Sequence, residues 1–332
     1  MLTKATVVGA GAMGTVMAQV LESNGVNVAL LARDCELQEL LVARENRRYL
    51  PGFRLAEGVK PTDDPAAALA HTELIISAVP CQFLRGAWKQ LGDAVPKGVP
   101  ICSVTKGIEI GTLQRPSEIL AAGSSENPIA VLSGPSVAPE LARCLPATVA
   151  VACATEGIAD LIQHVLSTSW FRIYTNPDVI GVELSGAVKN VVALAAGILD
   201  GLRAGDNAKA ALVTRGLVEI TRLGVAMGAR AETFVGLAGV GDLVTTCVSP
   251  HGRNRSAGER IGRGMAPDEV VRQSASVIEG IPTTRAVLEL AERHHVEMPI
   301  TQAVYQVLFE RKDPLTAITE LMNRPPKAEE RL

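Results

Sequence analysis

Between Ala5 and Val8 the chain is apolar and β-leaning, turns through Gly9-Ala10-Gly11-Ala12-Met13-Gly14, and takes up helical periodicity through Val16, Val20 and Leu21. Strand, GxGxxG and helix in that order leave few folds open. The first glycine permits a tight turn, the second lets backbone approach a pyrophosphate, and the third lets the helix close on the strand; the helix N-terminus then faces the phosphates. A lone GxGxxG can be a structural turn. Here a second strand, Val26 to Leu31, follows it as a dinucleotide fold requires. The expected class is α/β, with an N-terminal Rossmann-type dinucleotide-binding domain.

At the end of that second strand an acidic residue would meet the ribose 2′-hydroxyl of NAD, but the sequence reads Ala32-Arg33-Asp34. A guanidinium there suits a 2′-phosphate, so NADPH is favoured, while Asp34 keeps NADH open; otherwise Arg33 is a solvated loop charge. Leu37 to Arg44 reads as a short helix, and Asn46 to Gly52 as a polar connector whose Arg47-Arg48 pair reads as a solvated face. Strand-like runs recur at Leu74 to Val79, Ile101 to Val104 and Ile129 to Leu132, ending in Pro80, Thr105-Lys106-Gly107 and Ser133-Gly134-Pro135-Ser136. In open parallel sheets ligands lie at the carboxyl ends of strands, which places Pro80, Lys106, Gly134 and Ser136 where a ligand would sit. Lys106 adds a cation there, unless it is a surface loop lysine.

Thr148 to Cys153 and Phe171 to Tyr174, flanking a helix from about Gly157 to Leu166, extend the sheet. Beyond the Asn176-Pro177 turn the long segments have helical periodicity: Val182 to Leu202, Ala208 to Met227, Glu232 to Leu243, then helices opening near Asn254, Thr283, Pro299 and Leu315. The expected division is 1–177 for nucleotide binding and 178–332 for an all-helical domain. The tail from Asn323 to Leu332 is rich in proline and charge and is expected to fray.

The 332 residues suffice for about two domains, and 47% hydrophobic with 20% charged residues describes a soluble globular chain. Aromatics at 3% supply few base-stacking surfaces, and a net charge of -3 argues against a polyanion binder. The six cysteines lie far apart without CxxC, and the five histidines make no HExxH, so reduced, mostly buried thiols and no metal site are expected. The start enters a strand pattern without a signal peptide, and no uncharged apolar run reaches the roughly eighteen residues of a membrane span. A soluble cytoplasmic protein is the expectation.

The run VELSGAVKNVVALAAGILDGL, Val182 to Leu202, holds a cation, Lys189, in its middle. At about 100° per residue, Ser185, Gly186, Lys189 and Ala193 share a face, with Glu183, Asn190 and Gly197 along a neighbouring stripe. A side chain carrying about 2 kcal/mol of rotamer entropy and resisting desolvation needs something polar or anionic to meet it there, or else it snorkels to water. Gly239-Val240-Gly241-Asp242 puts a carboxylate after glycines. His251-Gly252-Arg253-Asn254-Arg255-Ser256 puts glycine, arginine and amide at a helix start, where free N–H groups and a guanidinium make a phosphate site, unless this is a solvated basic turn.

With Gly9 to Gly14, Thr105-Lys106-Gly107, Ser133 to Ser136, Gly186-Ala187-Val188-Lys189-Asn190, Gly239 to Leu243, Gly252-Arg253-Asn254 and Glu279-Gly280 in this order, the chain resembles the bacterial NAD(P)-dependent glycerol-3-phosphate dehydrogenases over nearly its whole length. The glycine loop is generic; Gly-Ala-Val-Lys-Asn and Arg-Asn at this spacing are specific. The resemblance implies interconversion of dihydroxyacetone phosphate and sn-glycerol 3-phosphate with NADPH or NADH, feeding glycerophospholipid synthesis. It implies Lys189 as catalytic lysine, Asp242 and Lys106 as its polar partners around the ketone, and Asn190 and Thr246 as further groups of the substrate shell. Gly134, Ser136, Gly252, Arg253 and Asn254 match substrate contacts. Gly9, Gly11, Ala12, Met13, Gly14, Arg33, Lys106, Ala138, Arg253, Val277 and Glu279 match cofactor contacts. Two departures stand out. Many members carry serine and an aromatic at Ala12-Met13, so a side-chain bond to the cofactor phosphate is missing while the backbone cradle stays; and Gly252 replaces a common serine, removing a hydroxyl from the phosphate site.

On this reading Lys189, as ammonium, polarises the ketone and donates a proton to the forming alkoxide, Asp242 holds Lys189, and Arg253, Asn254 and a helix N-terminus grip the phosphate. Related reductases of ketopantoate or β-hydroxyacid type also use a helix lysine but take carboxylates, so phosphate dependence separates them. A nicotinamide-binding sensor without turnover is the rival from another class. Integral membrane contact and nucleic acid are not expected, and the oligomeric state stays open, a homodimer being one option.

Overall fold

The structure, a computed structural model, describes residues 2–326 and 328. It comprises two compact units, Met1–Lys106 with Gln114–Val179 and Gly107–Leu113 with Ile180–Leu332. The expected fraying tail lies, for residues 327 and 329–332, outside the described residues.

In the first unit, strands β1 (Lys4–Val8), β2 (Asn27–Leu31), β3 (Val59–Thr62), β4 (Leu74–Ser77), β5 (Ile101–Ser103), β6 (Ile129–Ser133), β7 (Ala147–Cys153) and β8 (Phe171–Asn176) form one sheet in the order β3-β2-β1-β4-β5-β6-β7-β8. The first six are parallel in the doubly wound order of dinucleotide folds. β7 then runs antiparallel to β6, and β8 parallel to β7, so the expected extension of the sheet reverses direction. Helices α1 (Ala12–Ser23), α2 (Asp34–Val42), α3 (Pro65–Leu69), α4 (Cys81–Leu91), α5 (Pro116–Gly123), α6 (Ala138–Leu141) and α7 (Ile158–Leu166) connect the strands.

Both faces of the sheet are covered, which explains why its strands read as unbroken apolar runs. Val7 and Ile76 join Met17, Leu21 and Leu132 in one core; their neighbours Val8 and Ile75 point the other way, to Leu84 and Trp88. β3 escapes the sequence reading because Pro61 lies within it. It is an edge strand, where a missing N–H costs little. Val8 pairs with both Leu31 and Ser77, and Ser77 with Ser103, so the chain leaves these strands at one carboxyl edge carrying Gly9 and Lys106.

The second unit is helical: α8 (Val179–Leu202), α9 (Asp206–Ala226), α10 (Ala231–Phe234), α11 (Asp242–Val248), α12 (Arg253–Gly262), α13 (Pro267–Arg272), α14 (Gly280–Arg293), α15 (Pro299–Phe309) and α16 (Pro314–Met322). Each residue from Gly181 to Leu199 is buried, as befits a helix apolar all round. By length and composition alone Val179–Leu202 and Ala231–Val248 are long and apolar enough to cross a membrane; 89% of the first window is buried inside the protein, the mark of a core helix.

α8 and α12 cross at glycines. A Cβ on Gly197 would stand 1.9 Å from the Arg255 carbonyl oxygen, and one on Gly258 2.1 Å from that of Leu194. Gly201 and Gly262 are similarly close, at 2.3 Å from the carbonyls of Glu259 and Ile198. This backbone-to-backbone approach lays the start of α12 beside the middle of α8.

The single helix expected over Glu232 to Leu243 is instead broken: α10 ends at Phe234, a π turn spans Leu237–Gly241, and α11 opens at Asp242. Gly239 lies so close to Phe234 that a Cβ would meet its carbonyl oxygen at 1.9 Å. Of the six free cysteines, Cys81, Cys102 and Cys247 are buried but Cys35 and Cys144 are exposed, fewer buried than expected.

Glu219 of α9 is buried, and its carboxylate accepts from the Ile300 and Thr301 N–H groups at 2.6 and 3.2 Å and from the Thr301 hydroxyl at 3.2 Å, capping α15. Burial pushes its pKa up to about 7, against the pull of those donors and of Arg222. A folded pKa above the unfolded one means the folded state holds the proton more tightly. Stability from this group is full below about pH 4.5 and is lost as pH rises to about 7, by up to about 3 kcal/mol. Glu219→Gln should remove that slope: in urea melts the wild type should lose stability relative to the variant between pH 5 and 8. A pH-independent difference would assign the carboxylate an ordinary pKa.

Candidate active site

In the helical unit Lys189 and Asp242 are 5% and 2% exposed, and Nζ lies 2.9 Å from Oδ1. The ammonium also donates to the Thr246 hydroxyl. The π turn is what brings these partners together. It starts α11 at Asp242, and Thr246, four residues on, lies on the same helix face, so carboxylate and hydroxyl converge on one cation. A buried ammonium is costly unless paired and hydrogen-bonded, and this one is both.

Asn190, next on α8, accepts from Asn254 Nδ2 at 2.9 Å and donates to the Gly186 carbonyl at 3.4 Å. Asn254 in turn accepts from the Gly280 N–H at 2.9 Å. These amides tie α8, α12 and the start of α14 into one string. Arg253 opens α12, and its Nη1 donates to the Val277 carbonyl at 3.2 Å. Although the residue is exposed by area, surrounding protein pushes its guanidinium pKa down, and Glu279, itself buried, pulls it back. Gly252 takes the N-cap position without a side-chain cap, leaving the helix-start N–H groups uncapped by a side chain and suited to an anion. A Cβ there would stand 3.1 Å from the Thr246 and 3.2 Å from the Ser249 carbonyl oxygen, so a serine would press on both.

The glycine loop in the first unit divides its labour as a pyrophosphate cradle should. Gly9 has φ of 105° and a Cβ there would crowd the Ala78 carbonyl; Gly14 would strike the Gly9 carbonyl oxygen at 1.9 Å; Gly11, at the N-cap of α1, has open space around it. The residues therefore fit a dinucleotide, with room for its phosphates at Gly11. Ala12 and Met13 pack on the core and leave the cradle to backbone. Asn46, in the polar connector after α2, is buried and donates to the Ala10 carbonyl and the Thr15 hydroxyl, both at 2.8 Å, bracing the loop from behind. Only its burial singles it out, and no local pattern announces that.

Lys106, after β5, donates to the Gly134 carbonyl at 3.1 Å and to the Ser136 hydroxyl at 3.3 Å. Gly134 needs its glycine, with φ of 146° and Val149 Cα 2.8 Å from where a Cβ would be. Ala138 opens the short α6 just beyond. Arg33 stands apart from these, at the N-cap of α2, paired with Glu36 and donating to Tyr49.

Family models described as NAD-dependent glycerol-3-phosphate dehydrogenase N-terminus and C-terminus match residues 4–159 and 178–319. The chain belongs to the NAD-dependent glycerol-3-phosphate dehydrogenase family. The glycerol-3-phosphate dehydrogenase [NAD(P)+] of Geobacillus thermodenitrificans is 48% identical over 98% of this chain and 96% of its own. The crystal structure of glycerol-3-phosphate dehydrogenase from Coxiella burnetii superimposes with a TM-score of 0.94 at 38% identity, covering 97% of this chain and 99% of that one. A ketopantoate reductase from Ralstonia eutropha, at 15% identity and a TM-score of 0.60 over 96% of this chain and all (100%) of its own, shares the fold alone. Membership of the dehydrogenase family thus separates this chain from the keto acid reductases that its sequence left as rivals.

Proposed function

We propose that this glycerol-3-phosphate dehydrogenase family member interconverts dihydroxyacetone phosphate and sn-glycerol 3-phosphate with NADPH in preference to NADH, in the cytoplasm, for glycerophospholipid synthesis. The observation that carries the reading is the buried ammonium of Lys189, held by Asp242 and Thr246. The segment 1–177 is assigned to the dinucleotide and 178–332 to substrate and catalysis. Gly9, Gly11, Ala12, Met13 and Gly14 would hold the pyrophosphate through backbone, Arg33 a 2′-phosphate, and Ala138, Val277 and Glu279 further parts of the cofactor, which when bound supplies the hydride for C2.

Lys189 polarises the ketone oxygen and gives it a proton as charge develops there, a role worth most in a site shielded from water. Asp242 fixes the ammonium and balances its charge. Asn190 acts by holding Asn254 at the start of α12. Arg253, Asn254 and the uncapped N–H groups after Gly252 grip the phosphate, while Lys106, which donates to Gly134 and Ser136, is assigned to the polar surroundings of the ketone.

The test turns on the phosphate. Charge-assisted bonds to one such group are worth about 1.5 to 3 kcal/mol, so Arg253→Ala should raise KM for dihydroxyacetone phosphate by about ten- to a hundredfold. Some kcat should go with it, since remote binding energy positions the reacting carbon. Unphosphorylated dihydroxyacetone should be a very poor substrate that the variant hardly worsens. NADPH affinity, measured separately, must be subtracted first. Equal losses for both ketones at saturating NADPH would remove Arg253 from the phosphate site.

A further inference from the structure

At the end of β2 the fork that would receive a 2′-phosphate already holds a carboxylate. Arg33 Nε donates to Glu36 Oε1 at 3.2 Å, Nη2 pairs with the same oxygen, and Nη2 also donates to the Tyr49 hydroxyl at 3.1 Å. The Arg33 side chain is 65% exposed and reachable by a ligand, whereas that of Glu36, in the first turn of α2, is 12% exposed. Tyr49 is anchored on its own account: its N–H donates to the Asn46 carbonyl oxygen of the side chain at 3.2 Å, and the Arg48 guanidinium lies 5.2 Å from the centre of its ring.

We propose that Glu36 is a specificity-determining residue for the cofactor: its carboxylate competes with a 2′-phosphate for Arg33 and holds down the preference for NADPH over NADH. The proposal rests on the pairing of Arg33 with that phosphate. A phosphate arriving at the fork must displace the carboxylate or lie against it, and like charges at that separation repel even in a watery setting. The 2′-hydroxyl of NADH carries no charge and meets no such opposition. A neutral amide at position 36 frees the fork, while Tyr49 still holds one arm of the guanidinium in place.

Two ligands that differ only in the 2′-phosphate, adenosine 2′,5′-bisphosphate and adenosine 5′-monophosphate, test this by calorimetric titration of the whole protein, with NADPH and NADH as a second pair. The ratio of affinities within a pair cancels general damage to the fold. Glu36→Gln should raise the ratio in favour of the 2′-phosphate by about three- to tenfold, the scale expected for a partly screened charge. Glu36→Asp, which keeps the charge, should stay within about twofold of the wild type, and Arg33→Ala should bring the ratio close to one. If Glu36→Gln leaves the ratio unchanged or lowers it while Arg33→Ala collapses it, Glu36 plays no part and Arg33 keeps its role. If Arg33→Ala has no effect, both assignments fall together.

Discussion

Lys189→Ala should lower kcat by at least about a hundredfold, because general acid assistance of this kind is typically worth about 10² to 10⁴. NADPH binding should change little. Truncation also strands Asp242, 2% exposed, without its cation, and breaking a buried pair from one side costs about 3 to 5 kcal/mol. Loss of turnover alone could therefore come from a weakened fold. The double variant Lys189→Ala with Asp242→Asn separates the two effects. It removes the stranded charge, so much of the lost stability should return and the two substitutions should be far from additive in the melt. Turnover should not return, since no proton donor has been restored. A double variant that regained both stability and activity would reduce Lys189 to a structural cation, as would a single variant turning over at near the wild-type rate.

That pair shows how far the sequence carries a reader. A lysine among small residues on an apolar helix needs a polar or anionic partner or a path to water, and a carboxylate after glycines is visible at Asp242. What joins them is the π turn from Leu237 to Gly241, and helical periodicity runs through it because its residues are as apolar as a regular helix would need. The central parallel strands of the sheet were legible for the opposite reason: buried on both faces, they are short apolar runs ending in turn residues. β3 was not, because Pro61 is tolerated only at an edge and composition does not tell an edge from a loop. The reversal at β7 was equally hidden, since strand direction follows from the connection and not from the strand's own residues. At Arg33 the sequence offered a charge; that Glu36 and Tyr49 already engage it follows from the turn of α2 and the placing of the connector.

The glycines of α8 and α12 were the signal most easily passed over, and they support the second large effect. Gly197 and Gly201, like Gly258 and Gly262, are four apart, so each pair clears one stripe of its helix for the other's backbone. Gly197→Ala should be strongly destabilising although alanine is the better helix former by about 1 kcal/mol. Its Cβ would lie 1.9 Å from the Arg255 carbonyl oxygen and 2.8 Å from the Glu259 nitrogen, both backbone, so no side-chain rotation relieves the clash and α12 must move away. Overpacking of this kind costs about 1 to 3 kcal/mol and occasionally more, which for a unit of this size lowers Tm by roughly 2 to 4 °C per kcal/mol. Because α12 begins with Arg253 and Asn254, its displacement should also stretch the amide string to Asn190 and raise KM for the phosphate substrate. Gly86→Ala supplies the internal control. Gly86 lies within α4 with nothing near its missing Cβ, so there the same substitution should be neutral or stabilising. Opposite signs for the two glycines in thermal melts are the expected result; equal shifts would mean that the close crossing of α8 and α12 does not exist in solution.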